Sequence, residues 1–335
     1  MEKNPGTIDA SAYFIVLEGS TVPKRKRVKP RAFAPLIGGP EAEQMLLRSQ
    51  QAGGFVMTFR VMTFNIRGAV PGRDGMNAWE HRALLNTAVL KRTSPDIIGF
   101  QELMRGNLQT YREQFPEYQW VLGPETMGAT RLNYNAIFWK PSLLDLLTTG
   151  GFWLSPTPEQ WSLGWGSASV RAATWAKFRH RETEREFCHV NIHLDSVSEE
   201  ARQQACPLIL QQLESLHLDH LPLLLTGDFN VPTEVPDAQL LALEPTITNA
   251  CYCFFLDQGF VDTYHATGKQ EAKTALTYHA FEGEHFSPVC RCDWILTRNG
   301  TCSFQVHSCE ILRDAAPPIY PSDHYPVLTE LILIS

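Results

Sequence analysis

No stretch of the 335 residues approaches the roughly 18 consecutive apolar residues that a helix needs to cross a bilayer. The apolar run at 12–17 is also too short for the core of a secretory signal. These two absences lead to the expectation of a cytoplasmic protein without a transmembrane segment, with a nuclear address open only through a short basic run described below. Cysteine is sparse: eight residues in a chain of this length do not make a disulfide framework, so reduced thiols are expected. The pairs Cys251-x-Cys253 and Cys290-x-Cys292 lack the usual C-x2-C spacing, and no histidine set completes them as a zinc clip. They read as buried thiols. No internal repeat is evident and nothing marks an oligomer interface, so a monomer is expected.

Positive charge is scarce as well, with 29 Lys/Arg against 36 Asp/Glu and a formal net charge of −7. The first 57 residues hold eight Lys/Arg against five Asp/Glu, which leaves the remaining 278 at −10. An acidic body argues against a tight, sequence-independent grip on long nucleic acid, which needs a basic surface. The exception is Lys24-Arg25-Lys26-Arg27-Val28-Lys29-Pro30-Arg31, six positive charges in eight residues, followed by Pro35, Gly38, Gly39 and Pro40. Composition thus divides the chain into a basic, flexible extension over 1–57 and one domain over 58–335. With 44% hydrophobic residues, that domain can bury a large core. Helical spacing of apolar residues runs over 79–91, stopping before Ser94-Pro95, and again over 198–216. Short strand-like segments fall near 135–139, 172–179, 187–194 and 221–225, so an α/β architecture is expected.

The domain has a recurring grammar: an apolar run that ends in a polar residue fit for chemistry. In Leu224-Leu225-Thr226-Gly227-Asp228-Phe229-Asn230, alternation along a strand puts Asp228 and Asn230 on one face, although the same residues would suit a β-turn. The pattern recurs in Arg60-Val61-Met62-Thr63-Phe64-Asn65, in Asp96-Ile97-Ile98-Gly99-Phe100-Gln101-Glu102, in the run from Phe187 to His193 and Asp195, and in Arg291-Cys292-Asp293-Trp294-Ile295-Leu296. Near the end, Pro321-Ser322-Asp323-His324-Tyr325-Pro326 holds an Asp-His pair between prolines before a last apolar strand. Together and in this order, over roughly residues 58 to 335, these motifs resemble the endonuclease/exonuclease/phosphatase superfamily of metal-dependent phosphoesterases. The resemblance implies a deoxyribonuclease-I-like fold, a four-layer α/β sandwich of two packed mixed β-sheets flanked by helices.

Phosphate-ester hydrolysis needs an activated water, an acceptor for its proton, and charge stabilisation around phosphorus. Glu102, a carboxylate closing an apolar strand, is the leading candidate ligand for a hard cation such as Mg2+, with Mn2+ as a substitute. The resemblance places the matching Asn65 beside it at the metal. An Asp-His arrangement suits the general base. Adjacent residues of an extended chain point apart, so Asp293 on another strand is better placed than Asp323 to orient His324. The resemblance agrees and frees Asp323 for the metal. It also implies that Asp228 positions or deprotonates the water, and that Asn230 and His193 bind the phosphoryl oxygens. Whether Asp228 or His324 takes the proton stays open. Asn191 and Asp195 share a strand face with His193 and are candidate substrate or supporting contacts. Arg171 matches an Arg often found at its position and is a candidate phosphate contact. Asn133 stands where many relatives have a Glu, and an amide there balances a charged His193 less well, so substrate range is expected to differ. Trp153, Trp161 and Trp165 are candidate cleft walls.

The expected activity is therefore a Mg2+-dependent phosphoesterase, first a nuclease or nucleotide phosphodiesterase acting on a phosphate ester, with nucleic acid among its partners. The alternatives are a phosphomonoesterase on a small or lipid-linked phosphate, and a non-catalytic binding module of the same fold.

Overall fold

The computed structural model describes residues 58–127 and 132–334, so the basic extension expected over 1–57 lies outside the described residues. The apolar runs that end in polar residues are strands buried on both faces. β1 (Thr58–Asn65) and β2 (Ile97–Leu103) run parallel, as do β8 (Glu186–His193) and β9 (Leu223–Asp228). Strands covered on both sides read as continuous rather than alternating apolar sequence, which is why these segments stood out.

Each parallel pair is the centre of a mixed sheet. The first sheet adds β3 (Gln119–Val121), β4 (Glu125–Met127), β5 (Leu132–Trp139), β12 (Ser303–Ile311) and β13 (Val327–Ile334), in the order β12-β13-β1-β2-β5-β3, with β4 also on β5. The second adds β6 (Leu144–Trp153), β7 (Ala172–His180), β10 (Val261–Asp262) and β11 (Asp293–Arg298), in the order β10-β11-β9-β8-β7-β6. Between the sheets lie Val61, Ile97, Ile137, Phe178, Phe187, Leu224, Ile295 and Leu331. Helices α1 (Trp79–Thr93) and α2 (Arg105–Gln114) set Leu90, Tyr111 and Phe115 on Met62, Ile98 and Phe138 of the first sheet's outer face. Helices α3 (Glu199–Ser215) and α4 (Ala250–Asp257) set Ile209, Leu213 and Phe255 on Val190, Leu225 and Trp294 of the second. The result is the four-layer α/β sandwich expected from the motif order. Local signals fix the helix ends: Ser94 turns left-handed (φ 43) and donates its N–H to Leu90 O, while the Ser198 side chain accepts the Ala201 N–H.

Towards one end of the sandwich the space between the sheets turns polar. Asn191 of β8 reaches across it, donating from Nδ2 to the Phe100 and Ala136 carbonyls at 2.8 and 2.9 Å. Its Oδ1 accepts from Gln101 Nε2 at 2.7 Å and from Thr226 Oγ1 at 3.1 Å. Gly99 makes room for this: a Cβ there would stand 2.3 Å from Thr226 Oγ1 and 2.6 Å from Asn191 Oδ1. The amide of Asn191 is thus wholly committed and buried. It stitches the two sheets together, the supporting one of the two roles left open for it by the sequence, because the face it shares with His193 is the inner one.

Candidate functional site

Above that polar seam, the ends of β1, β2, β8, β9 and β11 and the turn before β13 meet. Register brings the groups level: His193 pairs with Asp228 across β8 and β9, and Asp293 pairs with Asp228 across β11 and β9. Asn65 closes β1 and bridges both sheets. Its Nδ2 donates to Asp228 Oδ2 at 2.9 Å and to Glu102 Oε1 at 3.3 Å, and its Oδ1 accepts the Arg67 N–H at 3.1 Å. With its nitrogen between two carboxylates and its oxygen accepting one backbone N–H, Asn65 spaces these acids and keeps one oxygen lone pair beside Glu102.

Glu102 depends on an irregularity. Regular alternation would turn it away from Gln101 and the mouth. A bulge in β2, between Phe100 and Leu103, with Glu102 at φ 59, swings its carboxylate back to Asn65 and to the Gly68 N–H at 3.4 Å. A left-handed backbone at a non-glycine residue costs on the order of 1 kcal/mol and is concentrated at functional positions. Asn230 is another such case. The strand stops at Asp228, and Asn230 (φ 52) donates its N–H to Asp228 Oδ1 at 3.0 Å and its Nδ2 to Leu194 O at 3.0 Å. Simple alternation does not place it beside Asp228; a tight turn does.

His324 Nδ1 lies 2.8 Å from Asp293 Oδ2, and Nε2 lies 3.7 Å from Asp228 Oδ2. Asp323 instead faces the first sheet's loop, with Oδ1 3.2 Å from Ser322 Oγ and Oδ2 3.4 Å from Arg67 Nη1. Burial disfavours a charged imidazole, yet Asp293 and Asp228 outweigh it and push His324 up to about 10. Burial, reinforced by Asp293, pushes the Asp228 carboxyl up to about 7. Burial, then Arg171 and His324, holds His193 well below the usual imidazole range, so it is neutral. Its Nε2 stands 3.4 Å from Asp228 Oδ2, while Nδ1 has no partner among the described residues. Arg171 Nε is likewise buried without a hydrogen bond, 3.5 Å from Asp195 Oδ2. Asp195 is fixed in turn by the N–H groups of Ala168, Ser169, Val197 and Ser198. Asn133 is bonded to the Thr126 hydroxyl within the β4–β5 hairpin, not to His193. Trp153 meets Trp161 edge-on at 6.4 Å and donates Nε1 to Glu125 O, whereas Trp165 belongs to a turn tied down by Ser198 Oγ.

Two donor sets at the mouth differ in softness. Asp228, Cys292 and His324 bring ligand atoms within 4.8 Å of one another. The contact with Cys290, together with burial, pushes the Cys292 thiol well above its ordinary range, and a protonated sulfur suits a hard cation poorly. Glu102 and Asp323 offer only oxygen, and among the described residues donors approach those oxygens no closer than 3.2 Å. That under-satisfied oxygen pair fits a hard dication such as Mg2+.

Three residues of the mouth escaped sequence reasoning. Tyr278, half-buried, pairs with His324 in an isolated bridge and sets its ring 4.9 Å from the imidazole. Arg82 of α1, fully buried, donates to four carbonyls: Asn77 at 2.8 Å, Ile66 at 2.7 Å, Pro321 at 3.0 Å, and Arg67. Arg67 had a readable signal, a cation two residues beyond the polar end of β1; Arg82, inside an ordinary helix pattern, had none.

A family model described as the Endonuclease/Exonuclease/phosphatase family matches residues 62–324. The crystal structure of an endonuclease/exonuclease/phosphatase from Bacteroides vulgatus superposes with a TM-score of 0.68 at 30% identity, covering 83% of this chain and 99% of that one. A mannosyl-6-phosphatase from Bacteroides thetaiotaomicron superposes with a TM-score of 0.69 at 28% identity, covering 82% and 99%. An uncharacterized protein of Acanthamoeba polyphaga mimivirus is 26% identical over 179 residues, which are 51% of this chain and 66% of that relative, just short of two thirds of its length.

Proposed function

The chain belongs to the endonuclease/exonuclease/phosphatase family, and from that premise we propose that it is a metal-dependent hydrolase of phosphate monoesters borne by small polar molecules such as sugars. One observation carries the hydrolytic reading: the oxygen donors Glu102 and Asp323 and the chain Asp293–His324–Asp228 converge on one mouth although they come from both sheets. The preference for a monoester over the diester that the sequence favoured draws on the 28% identical mannosyl-6-phosphatase and on the acidic body, which suits a small substrate better than long nucleic acid.

In this reading Glu102 and Asp323 would hold the dication, Mg2+ or Mn2+, which supplies charge stabilisation to the phosphoryl oxygens. Asp228, held by Asn65 Nδ2 and the Asn230 N–H, aligns the attacking water and accepts its proton; a carboxyl pushed up to about 7 is well matched to that task near neutral pH. His324, kept cationic between two carboxylates, donates from Nε2 toward the phosphoryl group and does not serve as the base. Arg171 Nε, a buried donor without a hydrogen-bond partner among the described residues, is a further group available to the phosphoryl oxygens, while neutral His193 faces Asp228 with Nε2.

The test is hydrolysis of p-nitrophenyl phosphate, a hexose 6-phosphate, bis(p-nitrophenyl) phosphate, single-stranded DNA and RNA with Mg2+, Mn2+ or EDTA. Expected are metal-dependent turnover, fastest on the monoesters, and a fall of about 100-fold or more in E102A. Equal activity of E102A and wild type would remove the reading, and faster turnover of a diester would return it to the phosphodiesterase.

A further inference from the structure

The Arg67 side chain is 27% accessible, against 1% for Asp228 and 6% for Asp323. Its backbone is left-handed (φ 49), a conformation that a non-glycine residue keeps only where its surroundings enforce it. Here they do. The N–H is taken by Asn65 Oδ1 and the carbonyl by Arg82 Nη2, so the residue is gripped on both sides. One edge of the guanidinium is locked in a two-point pair with Asp74, Nε to Oδ2 at 3.1 Å and Nη2 to Oδ1 at 2.9 Å. The other edge is turned to the mouth, where among the described residues Nη1 has only the loose 3.4 Å approach to Asp323 Oδ2.

We propose that Arg67 is the residue that selects phosphate monoesters over diesters. The inference rests on the phosphoesterase reading above and adds the side chain that sets the charge of the accepted substrate. A monoester carries up to two negative charges and three non-bridging oxygens, a diester one charge and two such oxygens. Glu102, Asp228 and Asp323 make the mouth acidic, so the second substrate charge is better tolerated with one more cation beside it, in addition to the dication and His324. Arg67 supplies a permanent one, pre-oriented by Asp74, with an N–H edge shaped for phosphate oxygens and placed beside a proposed metal ligand. A diester, whose extra ester oxygen replaces the third non-bridging one, has less to offer that edge.

The experiment compares kcat/KM for p-nitrophenyl phosphate and bis(p-nitrophenyl) phosphate in wild type, R67Q and R67K, each at its own saturating Mg2+, together with inhibition by inorganic phosphate. R67Q is expected to lower the monoester value roughly 10- to 100-fold, the scale of a hydrogen bond between charged groups, and to weaken phosphate inhibition by a similar factor. Diester hydrolysis should change less than about threefold, as for a substitution away from a contact. R67K should fall between, keeping the charge but not the fork. Equal losses on both esters, or an unchanged monoester value, would overturn the assignment and leave Arg67 as a support for Asp74 and Asp323. Should wild type cleave neither ester, the phosphoesterase reading fails first, and calorimetry of phosphate binding to Mg2+-loaded wild type and R67Q still decides: equal affinity refutes the role of Arg67, weaker affinity in R67Q sustains it.

Discussion

Asp228, Asp293 and His324 lie too close together, and too deep, for all three to keep the charges they would have in water. Asp293 is the member that touches the others without facing the mouth, so its charge is the control knob. D293N removes the nearest charge that lifts His324 and one that lifts Asp228, so both pKa values must fall. We expect kcat to drop by about 10²- to 10⁴-fold with a smaller change in KM, the usual weight of an acid–base group. The acidic limb of the rate profile, set by ionisation of Asp228 near 7, should move to lower pH. A pH profile of D293N with its acidic limb unmoved would contradict this. At this scale the sequence was most legible where a carboxylate or histidine closed an apolar run, as at Glu102, Asp228 and His193. It was least legible where local geometry departs from alternation. Asn230 lies past the strand's end, and Asn191 lies on a face that both solvent and a second sheet could occupy; residue spacing does not tell these apart.

Among the elements, α1 has a task beyond covering the first sheet. Through Arg82 and Asn86 it ties the turn after β1 to Pro321, whose carbonyl receives both side chains, at 3.0 and 3.1 Å. The helix thereby sets the distance between Asn65 and Asp323. R82M would leave the carbonyls of Ile66, Arg67 and Asn77 without that donor and Pro321 with Asn86 alone, and should cost about 3 kcal/mol or more. Denaturant unfolding measures the loss. Mn2+ titration of the folded variant should show weaker binding, since the turn bearing Asp323 is no longer held; unchanged affinity would limit Arg82 to stability. Helices α1 and α3 and strands β5, β7, β8 and β9 were readable from periodicity, Ser94 and Ser198 marking helix ends, whereas α2, α4, β6 and β12 carry no such pattern and went unread. The bulge that aims Glu102 was not, because one extra residue in a strand leaves the pattern of an apolar run intact.

At the scale of the molecule, the interior holds histidines that must stay neutral. Burial pushes His189, which meets Thr226 Oγ1 at 2.7 Å, from 6.5 down to about 3, and burial likewise takes His279 to about 3. A folded-state pKa below the unfolded one gives stability that is complete above 6.5 and lost as pH falls from 6.5 toward 3. Each such histidine contributes a slope of about 1.4 kcal/mol per pH unit in that window. H189Q, which keeps a polar partner for Thr226 but does not titrate, should flatten the acid limb of unfolding free energy by that amount; an unchanged slope in urea unfolding across the window would refute it. The order of the groups along the chain has its own outcome. Asn65 lies in the first strand described, whereas Asp323 and His324 come directly before β13, which slots between β12 and β1. A polypeptide still on the ribosome, or one clipped ahead of Asp323, owns Glu102 and Asp228 but neither of the groups that complete them. In the proposed reading, hydrolysis would therefore require the turn before β13 to be made and docked, and copies clipped ahead of Asp323 would be inactive.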